Sequence, residues 1–361
     1  MRITYIVGTR PNFVKMAPVL AALRARLPAA DHVLVNTGQH YDRLLSDVFF
    51  EDLDVGAPDH VLGVGSGSHA EQTARTLQGV GALLADQPYD LVVVSGDVNS
   101  TLGAALAAAR AGVPLAHVES GLRSYDRTMP EELNRVLTDH LSDHLFAHSA
   151  SAVDNLEGEG IPSERVCFAG NTMIDTLVAM EPRFRAAGTA ARLGRSQGGY
   201  VLVTLHRPGL VDGPLLGEVM RELGRLSQHL PVVFPVHPRT RLSLDGAVHG
   251  PGVQLLEPLG YIDFLSLQAD AAAVITDSGG VQEESTFLGV PCFTLRDNTE
   301  RPITVECGTN TVLGLAPARI GEIPEALERA RPAVRVVPER WDGQASARIA
   351  DEIVRVLSPS T

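Results

Sequence analysis

The sequence predicts an α/β protein of two Rossmann-like, doubly wound domains facing a central cleft. Three observations carry that expectation. The chain has 361 residues and is 44% hydrophobic, more than one ordinary core absorbs, so two domains are expected. Short apolar runs alternate with helix-length stretches, the pattern of a parallel sheet covered by helices on both faces. The pattern also repeats. Val94-Ser95-Gly96-Asp97, a helix, Gly112-Val113-Pro114 and a strand are echoed by Ile275-Thr276-Asp277-Ser278-Gly279, a helix, Gly289-Val290-Pro291 and a strand.

The elements follow in order. Residues 3–7 read as a strand. Gly8-Thr9-Arg10-Pro11 then turns the chain, with proline suited to the first helical position, into a helix over 11–26. Residues 32–36 and 91–94 read as strands, 101–111 as an alanine-rich helix and 113–118 as a strand. A boundary near 168–172 makes residues 1–168 the first domain and 169–343 the second. In the second, 200–204, 232–236, 271–275 and 291–295 read as strands. Residues 215–229 and the stretch after Ser278 read as helices. The last helix, 344–357, is amphipathic, and residues 344–361 are expected to pack back on the first domain.

Composition removes several function classes. A net charge of -13 argues against a nucleic-acid backbone as partner, although local Arg and Lys can still hold a nucleotide. The three cysteines form no CxxC pair, so neither a disulfide framework nor a structural zinc site is expected. The first residues lack a signal-peptide core, and no run approaches 18 uninterrupted apolar residues. A reduced cytoplasmic address without membrane contact is the expectation.

In doubly wound sheets, ligands bind beyond the carboxyl ends of the strands, and the chemistry-bearing residues cluster there. Ser278, Gly279 and Gly280 join a strand to a helix start, where free N–H groups and the helix dipole favour a phosphate. Glu284 lies just inside that helix, where a carboxylate can take two ribose hydroxyls. Arg301 follows the next strand and suits a diphosphate. In the first domain, Arg10 follows the first strand and Lys15 lies a turn further on. Asp97 and Glu119 end two strands, and Glu131 and Glu132 open a helix after Pro130. Asp97 also suits a helix cap, and one of the two glutamates suits the helix dipole. Gathered at one lip, Asp97, Glu119 and Glu131 would make proton donors and acceptors. His206 and His237 each follow a strand of the second domain. His140, His144 and His148 are spaced by four, but residues 145–147 read as a strand, so no metal site is expected.

Taken together, these motifs resemble the non-hydrolysing UDP-N-acetylglucosamine 2-epimerases. The matching segments are GTRPNFVKMAP at 8–18, TGQH at 37–40, GD at 96–97, HVESGLRS at 117–124 and MPEELNR at 129–135. GNTMIDTL at 170–177, LHRP at 205–208, PVHPRT at 235–240, TDSGGVQEES at 276–285 and NTERP at 298–302 complete a set that spans nearly the whole chain. The resemblance implies a GT-B fold, a homodimer, no cofactor, and interconversion of UDP-GlcNAc and UDP-ManNAc. In that chemistry UDP leaves C1, the C2 proton is lost, and 2-acetamidoglucal is reprotonated on the opposite face as UDP returns. The resemblance implies that Asp97, Glu119 and Glu131 move the proton and that His206 assists departure of UDP. It implies that Arg10, Ser278, Gly279, Gly280, Glu284 and Arg301 hold UDP, with main-chain groups near Phe264 meeting the uracil. Lys15 and His237 are expected to line the cleft.

The chain departs from the family pattern in places. Asn12 stands where members commonly carry Glu after GTRP, and Gly65-Ser66-Gly67-Ser68 replaces the Arg-Gln pair of substrate-activated members. Gly209-Leu210 follows LHRP in place of Arg-Glu-Asn. Gln39, His40 and His237, which resemble other parts of the activating site, are kept. Weak or absent activation by substrate is the expectation. HVESGLRS followed by MPEELNR also argues against a hydrolysing relative, which would carry HIEGGE-like and GTIDE stretches and release free ManNAc.

Overall fold

The computed structural model describes residues 1–38, 53, 55–244, 250–329 and 336–358; Gln39 and His40 lie outside them. Its contacts divide the chain into two compact units, Met1–Ala179 with Glu339–Thr361, and Met180–Pro338.

The first unit holds a seven-stranded sheet of β1 (Arg2–Val7), β2 (Asp31–Asn36), β3 (His60–Val61), β4 (Leu91–Ser95), β5 (Leu115–Ser120), β6 (His144–Ala147) and β7 (Val166–Phe168). The order is β3-β2-β1-β4-β5-β6-β7, and every pairing is parallel. Helices cover both faces of such a sheet, which is why β4 reads Leu-Val-Val-Val-Ser with each side chain buried. The order reverses between β1 and β4, so the crevice beyond their carboxyl ends is the place where this topology binds ligands. Helix Arg10–Arg26 starts at once after β1. Thr9 caps it, and its backbone N–H and hydroxyl both donate to Asn12 Oδ1, at 3.2 and 2.8 Å.

Strand β5 starts later than the hydrophobic run suggests. Gly112 ends the preceding helix in the left-handed region at φ 68°. Val113 and Pro114 serve as lead-in, and the Pro114 carbonyl accepts Val92 N–H at 2.9 Å. The strand also continues to Ser120, which puts Glu119 inside it instead of just beyond its end.

The first unit also reaches past residue 168. Ile174 and Leu177 are fully buried, and Thr176 Oγ1 donates to the Val14 carbonyl at 2.7 Å, which ties the first half of helix Thr172–Ala187 to helix Arg10–Arg26. The C-terminal segment is held in the same unit. Trp341 is fully buried and donates Nε1–H to the His148 carbonyl at 3.0 Å. Asp175 accepts the Ala345 and Ser346 N–H groups at 3.1 and 2.6 Å, at the start of helix Ala345–Leu357.

The second unit repeats the plan with β8 (Val201–Thr204), β9 (Val232–Pro235), β10 (Val253–Leu256), β11 (Ala273–Thr276), β12 (Cys292–Thr294) and β13 (Asn310–Val312). The order is β10-β9-β8-β11-β12-β13, again all parallel, with the reversal between β8 and β11. Helix Leu215–Leu226 covers one face through Leu216, Val219, Met220, Leu223 and Leu226, the spacing of a single apolar stripe. Among the described residues no helix is long and apolar enough to cross a membrane.

Candidate active site

At the switch point of the first unit, charged groups are paired and mostly buried. Lys15, only 5% exposed, forms an ion pair with Glu119, itself 6% exposed. Lys15 was expected near a cleft mouth; helix packing instead folds its ammonium onto the carboxylate. Glu119 has φ 67°, a left-handed conformation rare for a side chain larger than glycine, at a register shift between Val118 and Ser120. A bulge of this kind re-aims a side chain and stores strain, a habit of functional positions. Gly96, at φ 65°, faces this pair. A Cβ there would lie 3.1 Å from Lys15 Nζ and 3.3 Å from Glu119 Oε2, so a side chain at residue 96 would crowd both.

Asp97 does not cap the next helix, which starts with Val98 in the cap position. Its carboxylate is instead held by Arg135, whose Nε donates to Oδ2 at 3.1 Å and whose Nη2 contacts the same oxygen. Asn134 Nδ2 donates to the Asp97 carbonyl at 2.9 Å. Both partners come from helix Pro130–Leu141, which also presents the two glutamates, and these divide by role. Glu132 is buried and accepts Ser124 N–H, Ser124 Oγ–H and Tyr125 N–H, each at 2.9 Å, and Arg135 Nη1 at 2.7 Å. Glu131 is half-buried and takes no such bond among the described residues. Arg10 is the first residue of helix Arg10–Arg26 and is half-buried.

The second unit carries the glycine turn expected to seat a phosphate. Helix Gly279–Leu288 begins at Ser278, whose side chain makes no capping bond, so the first-turn N–H groups of Gly279 and Gly280 are not filled by their own cap. Arg301 packs under this turn. A Cβ at Gly279 would lie 2.7 Å from Arg301 Cζ, so only glycine lets the guanidinium approach the backbone. Arg301 was expected as a diphosphate ligand. It is 5% exposed and already pairs with Glu283, Nε to Oε1 2.8 Å, and with Glu300. Its charge lies beneath the seat in a carboxylate clamp that fixes its orientation.

Glu284 is buried and accepts the Tyr261 hydroxyl at 2.9 Å. Burial pushes its carboxyl up to about 8; the Tyr261 bond opposes this and neighbouring Glu283 adds to it. Tyr261 belongs to helix Tyr261–Asp270, which also carries Phe264. The Phe264 side chain packs against the core around Tyr200, Leu202 and Leu267. Its own N–H donates to the Gly260 carbonyl at 3.0 Å and is thus spent within the helix.

His206, after β8, and His237, after β9, lie with ring centroids 5.7 Å apart. His206 is oriented by a residue that sequence reasoning passed over. Asp277, fully buried, accepts the His206 and Arg207 backbone N–H groups on Oδ2 at 2.9 and 2.7 Å. Its Oδ1 lies 2.9 Å from His206 Nδ1, an ion-pair distance with the ring turned off the ideal hydrogen-bond line. Burial alone would raise the Asp277 carboxyl; His206 and the backbone donors outweigh it and hold it below the ordinary value. Asp277 precedes Ser278, so one residue links the histidine and the anion seat. Arg135 and Asp139 were passed over too, although MPEELNR contains the first; their role depends on partners far away in sequence. His144 starts β6 while His140 lies in helix Pro130–Leu141, so the three evenly spaced histidines share no helix face.

Two parallel doubly wound units, one with paired acids at its switch point and one with a nucleotide-type anion seat, define a nucleotide-sugar enzyme of the GT-B class. The family model for UDP-N-acetylglucosamine 2-epimerase matches residues 22–354, and the chain belongs to that family. It is 38% identical to the UDP-N-acetylglucosamine 2-epimerase of Methanocaldococcus jannaschii, with 99% of each chain covered. It is 37% identical to a UDP-2,3-diacetamido-2,3-dideoxy-D-glucuronate 2-epimerase of Pseudomonas aeruginosa, covering 99% of this chain and 100% of that one. Among solved structures, the M. jannaschii UDP-GlcNAc 2-epimerase in complex with UDP-GlcNAc and UDP superposes with a TM-score of 0.89 at 37% identity, covering 98% of this chain and 100% of that one.

Proposed function

We propose that this chain interconverts UDP-GlcNAc and UDP-ManNAc without net hydrolysis. The observation that carries the reading is the division of chemistry between the two switch points. Asp97, Glu119 and Glu131 supply carboxylates in three different settings: clamped by Arg135, paired with Lys15, and without a partner among the described residues. Ser278, Gly279 and Gly280, with Arg301 beneath and His206 beside Asp277, supply cationic and N–H stabilisation for a diphosphate.

The C2 hydrogen of the sugar is not next to a carbonyl, so direct deprotonation is hard. In the proposed step the C1–O bond to UDP breaks with its electron pair leaving on the diphosphate. A carboxylate takes the C2 proton, and C1=C2 forms as 2-acetamidoglucal. The reverse step protonates C2 on the opposite face while the diphosphate oxygen reforms the bond to C1. Two proton-transfer groups are needed, one per face. Glu284 accepts ribose hydroxyls, Arg10 joins the diphosphate contacts, Lys15 acts through its pair with Glu119, and His237 stands beside His206.

The test is incubation with UDP-GlcNAc in deuterated water followed by NMR. Deuterium at C2 of both UDP-sugars, without free ManNAc, is expected. Free ManNAc with UDP means the hydrolysing reaction, and absence of exchange removes the epimerase reading for this sugar. A related substrate is the second reading, because the P. aeruginosa relative of nearly equal identity carries a different sugar in its name. UDP-2,3-diacetamido-2,3-dideoxy-D-glucuronate run in parallel decides between them. The reading includes a cytoplasmic homodimer in which substrate activation is weak. Leu77, Leu102, Leu133 and Leu137 line an apolar groove of about 430 Å³ on the first unit, a surface suited to a second copy.

A further inference from the structure

A buried charge network on the first unit lies outside the roles given so far. His117, on β5 between β4 and β6, is fully buried. Its Nε2 lies 2.8 Å from the Gly96 carbonyl and its Nδ1 2.7 Å from Asp139 Oδ1. A carbonyl only accepts, and so does an ionised carboxylate, so both ring nitrogens donate. Asp139 is ionised because the buried Arg123 guanidinium pairs with it, and its carboxyl is held below the ordinary range although burial opposes this. Its other oxygen accepts Gly121 N–H at 3.1 Å and Arg123 Nη1 at 2.7 Å. Arg123 is 4% exposed and forks onto Glu159 at 2.7 and 2.6 Å. The charged groups are thus two cations and two carboxylates, and the network balances.

The bonds reach the three candidate acids. Gly96 precedes Asp97, and Gly96 N–H donates to the Val118 carbonyl at 3.0 Å, next to Glu119. Gly121, held by Asp139, follows the Glu119 bulge by two residues. Helix Pro130–Leu141 carries Asp139 at one end, Arg135 in the middle and Glu131 at the other. A backbone amide could hold one of these segments; a group with two opposed donors, set in β5 beside β4, fastens the glycine turn to that helix.

We propose that His117 is a positioning residue: a doubly protonated imidazole that locks the Gly96 carbonyl to helix Pro130–Leu141 and so sets Asp97 against Glu119 and Glu131. It touches neither substrate nor proton in flight. The proposal rests on the epimerase reading for its kinetic test alone.

His117→Leu removes both donors, and His117→Gln restores one amide donor to the Gly96 carbonyl. A misplacement of about 1 Å near the chemistry lowers rate by ~10²-fold. His117→Leu is therefore expected to lower kcat by about that factor, with KM and UDP affinity within ~3-fold of the parent, and His117→Gln to recover at least ~10-fold of the loss. A His117→Leu enzyme with parental kcat, or one that loses UDP affinity in parallel with kcat, overturns the proposal. Should His117→Leu fail to fold, the parent protein decides. Labelled with ¹⁵N-histidine at neutral pH, one slowly exchanging imidazole must show protons on both ring nitrogens; finding every buried imidazole with one bare nitrogen overturns the assignment. If the parent turns over no UDP-GlcNAc, the epimerase reading fails while the NMR result still judges His117.

Discussion

Replacing Glu284 by glutamine tests the UDP seat and the physics of its burial together. The carboxyl rises from an ordinary 4.5 to about 8 because it is buried, and Tyr261 donates to it at 2.9 Å. A glutamine of the same length keeps an oxygen for Tyr261 and removes the titration. In the unfolded chain the glutamate ionises near 4.5, whereas in the folded chain it stays protonated until about 8. Between those values unfolding releases a proton, so the glutamate makes the folded state progressively less stable as pH rises through the window. Each pH unit is worth about 1.4 kcal/mol, so the penalty reaches about 3 kcal/mol at pH 7 and about 5 kcal/mol above pH 8. Glu284→Gln lacks this penalty. Urea unfolding of the second unit should give equal midpoints for the two proteins near pH 4.5 and a growing advantage for the variant from pH 5 to pH 8. UDP titration should move the other way. Above pH 8, where Glu284 is ionised in the folded protein, ribose hydroxyls donate to its carboxylate better than to an amide, so UDP affinity of the variant should fall there by ~10-fold, the ~1.4 kcal/mol of a charged hydrogen bond. Identical unfolding midpoints at pH 5 and pH 8 would refute the burial argument. Unchanged UDP affinity above pH 8 would remove Glu284 from the ribose.

The other predictions concern turnover, orientation, assembly and anchoring. Asp97→Asn and Glu131→Gln should each lower epimerisation by ~10²-fold, with UDP affinity measured by calorimetry within ~3-fold of the parent; near-normal turnover in both takes them out of proton transfer. Asp277→Asn keeps shape but removes the charge that orients His206, so kcat should fall at least ~10-fold with little change in fold by circular dichroism. Leu133 and Leu137 are 41% and 50% exposed on the groove of the first unit. If the proposed homodimer forms through this groove, Leu133→Glu with Leu137→Glu should convert it to a monomer in sedimentation, and an unchanged sedimentation profile rejects that surface. Trp341→Ala empties a fully buried site and breaks the bond to the His148 carbonyl. The first unit should lose ~3–5 kcal/mol in denaturant unfolding.

The candidate site was unevenly legible in the sequence. Ser278, Gly279 and Gly280 were readable because a strand, a small-residue turn and a helix start form one local signal. Glu119 stood out as an acid in an apolar run, but its left-handed φ of 67° comes from the register of β5 against β6. Lys15 looked like a helix residue near an opening, and only packing shows it buried on Glu119. Arg301 read as a partner for a diphosphate, and only the approach of Glu283 and Glu300 shows it clamped beneath Gly279. His117, Asp139 and Asp277 gave no local signal of their role. Each acts through a partner on another element, 21 residues away for His117 with Gly96, 22 for His117 with Asp139 and 71 for Asp277 with His206.

Sequence by itself therefore determined the alternation of strand and helix, the duplication of the plan and the residue types at each strand end, because these follow from periodicity and turn chemistry over a few neighbours. Tertiary structure alone decided which carboxylate is clamped, which is paired and which stands without such a partner. Those outcomes depend on desolvation and on partners brought together from distant segments, and neither is written into any local stretch of chain.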